Sequence, residues 1–139
     1  MAFEEILKTI TLSAPSTAFS DKQYHMVKAS SSEGLFAAGS TKPTGEKVSK
    51  GAIGVLQTAP ARTGEAAQIA PFGSGGISKI VRDSTDLVPG KYFLMGEDGR
   101  AASTDDVVAQ DFIYGPWMSV GASTDSIGSG MLTVVGITS

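Results

Sequence analysis

Short runs in which apolar and polar residues alternate, divided by glycine and proline, make up most of the chain after Ser20. The densest of them lies between Gly51 and Val81. There Ile53, Val55 and Gln57 alternate with Gly54 and Leu56, the period of two that a strand requires. Pro60 to Gly64 predicts a tight connection, because proline cannot donate to a ladder and glycine accepts a positive φ. A second strand is expected from Glu65 to Phe72, with Ala67 and Ile69 on one face. Gly73, Gly75 and Gly76 end it, and Ile77, Lys79 and Val81 then alternate with Ser78, Ile80 and Arg82 as a third strand.

The flanks repeat this pattern. Tyr24–Ala29 and Leu35–Ala38 read as strands joined by a turn over Ser30–Gly34, and Thr41–Lys50 reads as an exposed polar loop. Lys91–Gly96 is a strand, and Asp98-Gly99 after it is a hairpin signal of the type I′ kind. Ser103-Thr104-Asp105-Asp106 has the composition to cap one helical turn running to Gln110. Met131–Thr138 is expected to be the last strand.

Residues 1–20 differ from residues 21–139, which read as one domain. Phe3, Ile6, Leu7, Ile10 and Leu12 crowd five large apolar side chains into a short arm ahead of the linker-like Ser13–Thr17. Two readings stay open. Ile6, Ile10 and Leu12 share strand parity, which suits an ordinary first strand. Alternatively, the arm leaves the domain and pairs with a neighbour's backbone, the mode known as β-augmentation.

Composition narrows the function classes. The chain has 139 residues, enough for one modest core, with 41% hydrophobic residues, 18% charged residues and 17 glycines. These proportions favour short strands and tight turns. A net charge of −3 with basic residues scattered singly argues against nucleic acid as a partner. No run approaches the roughly 20 apolar residues of a membrane-spanning helix, and Glu4 and Glu5 precede any basic residue, unlike a signal peptide. There is no cysteine and a single histidine, so disulfides, thiol catalysis and the usual zinc ligand sets are excluded.

The remaining candidate chemistry is thin. His25 lies in an alternating strand, and no Gly-x-Ser-x-Gly elbow accompanies it, so a serine hydrolase built on His25 is only a remote alternative. Asp105, Asp106 and Asp111, like Asp83 and Asp86, read as solvated turn acids, since their spacing matches no calcium loop; no metal is expected. Gly73-Ser74-Gly75-Gly76 lacks the Gly-Lys-Ser/Thr ending of a phosphate loop. Trp117, near Phe112, Tyr114 and Met118, is either a plug in the core or a subunit-contact anchor; Phe72 is a second interface candidate.

Gly54-Val55-Leu56-Gln57, the proline after it, Gly64-Glu65-Ala66-Ala67, the following strand and Gly73 together resemble the centre of the lambda-like phage capsid cement, or head decoration, proteins. Lys22 to Lys28 resembles that family's first barrel strand, and Pro89 to Leu94 followed by Asp98-Gly99-Arg100-Ala101 resembles its hairpin. Phe112–Met118 and Met131–Ile137 resemble its last two strands, with Pro116-Trp117 a departure from the family's plainer strand. The resemblance implies an all-β fold: a small β-barrel or β-tulip-like domain of about eight to ten short strands, with an extended N-terminal arm and at most one short helix. It further implies a virion structural protein, not an enzyme and without a cofactor. Such a protein sits on the outer surface of an icosahedral head as a homotrimer and binds the major capsid protein, here through Phe3, Ile6, Leu7, Ile10 and Leu12. Another virion module, such as a tail-tube, fibre or adhesion domain, is the alternative.

Overall fold

The computed structural model describes residues 8–14, 19–29, 36–38, 52–82, 87–95, 99–103, 112–119 and 127–137. Twelve strands occur among them: β1 (Ile10–Ser13), β2 (Met26–Ala29), β3 (Phe36–Ala38), β4 (Gly54–Leu56), β5 (Ala66–Pro71), β6 (Ile77–Val81), β7 (Phe93–Met95), β8 (Ala101–Ser103), β9 (Phe112–Tyr114), β10 (Trp117–Ser119), β11 (Ile127–Met131) and β12 (Val134–Ile137). The fold is all-β. Strands β1-β5-β4-β2-β3 form one sheet, β10-β11-β6 a second and β12-β9-β7-β8 a third, with every strand pair antiparallel. Among the described residues these sheets stay open and do not close into a barrel.

The inner strands β2, β4 and β5 of the five-stranded sheet are buried on both faces, and their sequence shows why. Met26 and Val27, Val55 and Leu56, Ile69 and Ala70 are neighbours in the chain, so each pair sends one side chain to either face. Met26, Val55 and Ala70 enter a large core with Ile80, Leu87, Phe93, Tyr114, Trp117 and Leu132 from the other two sheets and their connections. Val27, Leu56, Ala67 and Ile69 enter a second core, closed by Ala14 and Phe19, with Leu12 and Ile53 packed at its rim. Strands covered on both faces read as continuous apolar runs, which accounts for the fully buried Gly54-Val55-Leu56.

The central module holds its three strands, but they divide between sheets. β4 and β5 pair directly, while β6 leaves them and pairs with β11 from Ile77↔Met131 to Val81↔Ile127. Two corrections come from the C-terminal third. The expected strand Met131–Thr138 is broken at Leu132-Thr133: Met131 closes β11 in one sheet, and Val134 opens β12 in another. The expected continuous strand Phe112–Met118 is likewise two strands, separated by Gly115 (φ 122°) and the cis bond to Pro116. Ser103, the expected start of a helical turn, closes β8 instead, while 104–110, Asp83, Asp86 and the loop Thr41–Lys50 lie outside the described residues.

One strand falls before residue 20. Ile10–Ser13 pairs with Ala66–Ile69 of its own chain, and Ala14 and Phe19 are core residues. Ile10–Ser13 is therefore a strand of the five-stranded sheet, as the ordinary-strand reading of these residues expects. Leu12→Ala should accordingly lower stability by about 1–2 kcal/mol, below the 2–5 kcal/mol typical of fully buried leucines because Leu12 is only partly covered. A urea midpoint equal to that of the parent chain would show that β1 contributes no packing.

Candidate functional site

Open sheets have edges, and three of the six described here, those of β6, β8 and β10, meet other parts of the chain. On the β6 side, Val81 donates its backbone N–H to the Tyr24 carbonyl at 3.0 Å, and Arg82 bridges to Ala101. The outer side of β10 faces the connection after Leu87, where Gly90 N–H donates to the Trp117 carbonyl and Trp117 N–H to the Lys91 carbonyl, each at 2.8 Å. Among the described residues, no strand pairs with the outer sides of β1, β3 and β12.

β1 and β12 differ in regularity. β12 carries a bulge between Val134 and Gly136 where it meets β9, and bulges are one of the devices that blunt an edge. β1 runs in unbroken register from Ile10↔Ile69 to Ser13↔Ala66 and contains neither charge nor proline. Ala14 N–H donates inward to the Glu65 carbonyl at 2.9 Å. In an antiparallel ladder the direction alternates, so Leu12 and Ile10 also bond inward, and Thr11 and Ser13 turn their backbone groups outward. That outer row can accept an added strand. Thr11 is further fixed by its side chain, whose hydroxyl accepts from Gln68 Nε2 at 2.9 Å.

Of the residues expected to grip a partner, Phe3, Ile6 and Leu7 lie outside the described residues. Ile10 is 43% exposed at the head of β1, and Leu12 turns toward the second core. The two candidate interface aromatics are placed close together inside the subunit. Phe72 is half-buried, its ring stacked on Tyr114 at 4.0 Å and 6.3 Å from Phe93. Trp117 has no exposed surface and meets Phe93 edge-on at 5.4 Å. It occupies the core-plug position, and in this subunit it offers a partner nothing to touch. Tyr114 anchors the cluster by accepting from the Ala52 N–H at 3.0 Å.

The sequence reading missed the apolar residues that are in fact exposed: Val88, Tyr92, Met118, Val134 and Val135. Three carried a usable signal. Val88, Tyr92 and Met118 each adjoin a fully buried large residue, Leu87, Phe93 and Trp117 respectively. In an extended chain the neighbour of an inward side chain points outward.

Polar side chains mostly tie the sheets together. Gln57 Nε2 donates to Ser78 Oγ at 2.8 Å and to the Val55 carbonyl at 3.1 Å, and the Gln57 carbonyl accepts from Gln23 Nε2 at 2.9 Å. Tyr24, the one described non-glycine residue with positive φ (66°), sits beside this cluster with the Lys79 ammonium 5.6 Å from its ring centre. Its strained backbone is held by bonds from its N–H to the Leu56 carbonyl and to its carbonyl from Val81. His25 is buried, with Nδ1 3.2 Å from the Gln23 carbonyl. Among the described residues no three His, Asp or Glu side chains gather as metal ligands; Asp105, Asp106 and Asp111 lie outside them. No helix among them is long and apolar enough to cross a membrane.

Compared with models of known protein families, with curated proteins and with solved structures, the chain matches none.

Proposed function

We propose that this chain is a virion structural protein that decorates the outer surface of an icosahedral phage head and stabilises it by bridging major capsid protein subunits as a homotrimer. The observation that carries the reading is the regular, uncharged outer edge of β1, which stands at the end of a sheet in a chain whose motif order resembles that of cement proteins. Strand addition there draws on backbone hydrogen bonds, and exposed Ile10 supplies an apolar contact beside them. Phe3, Ile6 and Leu7 lead into this edge along the chain. The capsid contact is thus the β1 edge together with the residues before it, while Leu12 belongs to the subunit's own packing.

The mechanism is mechanical. Packaged DNA pushes the shell outward, and a bridging subunit adds its contacts to those that must break when capsomers separate. Each contact can be small, because trimeric attachment makes the second and third intramolecular, with avidity gains of about 10²–10⁴.

The test mixes purified protein with naked heads before and after expansion. Saturable binding to expanded heads, weak binding to unexpanded shells and a higher temperature for DNA release are expected. The geometric reason is that expansion shifts capsomers by much more than one strand register, about 3.3 Å per residue, and multivalent grip is lost when sites cannot be spanned together. A variant lacking residues 1–7 should melt like the parent and lose head binding. Binding without a gain in head stability would assign the protein another decorating role, such as adhesion. Binding to neither form would overturn the capsid reading in favour of a tail or fibre module.

A further inference from the structure

We draw no further inference here: the strongest candidate, the apolar outer edge of β12 with exposed Val134 and Val135 beside Gly136, carries nothing because nothing in the structure shows what covers it.

Discussion

Gly54→Ala should cost the protein at least about 3 kcal/mol, at or above the top of the usual 1–3 kcal/mol range for overpacking a core. Gly54 lies in the middle strand of the five-stranded sheet, opposite Pro71 on one side and Val27 on the other. A Cβ there would press on the Ala70 carbonyl oxygen and come within 2.8 Å of both Pro71 Cα and Ile69 Cγ2. Two of these three atoms are backbone of the neighbouring strand, so they cannot swing aside as the end of a flexible side chain would. Relief requires spreading β4 from β5, which loosens both cores at once because the sheet is packed on both faces. The backbone at Gly54 does not have positive φ, so the glycine is there for space and not for conformational freedom. Gly136→Ala is the matched control: it too lacks positive φ, and nothing lies within 4 Å of the added carbon. It should change stability by no more than about 0.5 kcal/mol, as surface substitutions do. Urea denaturation of both variants checks the pair. Equal midpoints for the two would mean that β4 and β5 do not pack in this register.

The contrast between those glycines shows where the sequence was legible and where it was not. Period-two alternation located β4, β5 and β6 within a residue or two, because a strand's own residues carry that signal. The sheet each strand joins is a non-local matter. Nothing in Ile77–Val81 states that it abandons the adjacent β5 for Ile127–Met131, some fifty residues later in the chain. β11 carries little strand signal of its own, because Gly128-Ser129-Gly130 has the composition of a turn. Gly130 is a packing residue: a Cβ on it would lie 2.8 Å from Phe93 Cε1, so the ring occupies the space a side chain would fill. The strand parity shared by Ile10 and Leu12 agrees with the pairing of β1 to β5. The asymmetry within it, with Leu12 turned to the core and Ile10 left exposed, depends on Phe19 and Ala14 closing over one end. That closure is a tertiary fact with no local signature. For the candidate site, apolar content marked the N-terminal residues, but only topology shows that β1 ends its sheet among the described residues.

Trp117→Ala should remove about 3–5 kcal/mol, a large share of the 5–15 kcal/mol typical of a whole domain. Composition around Trp117 suits a core plug and a subunit anchor equally, since both use large aromatics. The two roles part in their consequences. As the structure places it, Trp117 is fully buried, packs edge-on against Phe93 and lies in the core that joins all three sheets. Truncation would leave a cavity in the core that also holds Phe93, Ile80 and Leu132, and their backbones sit in or beside strands that limit collapse. Trp117→Phe should cost much less. It keeps an aromatic ring beside Phe93, and it gives up no hydrogen bond, since Nε1 is buried without a partner among the described residues. Burying such a donor unsatisfied is itself unfavourable, which offsets part of the packing lost with the smaller ring. As the chain's only tryptophan, Trp117 also reports its own environment by fluorescence: a blue-shifted emission in the folded protein should move red in one step with unfolding. Urea titration followed by circular dichroism gives the ranking for all three proteins at a concentration low enough to exclude assembly. A core residue lowers the midpoint of the isolated subunit in the order parent, Trp117→Phe, Trp117→Ala. An anchor would leave that midpoint in place and abolish only trimer formation on the head, and that outcome would remove Trp117 from the core described here.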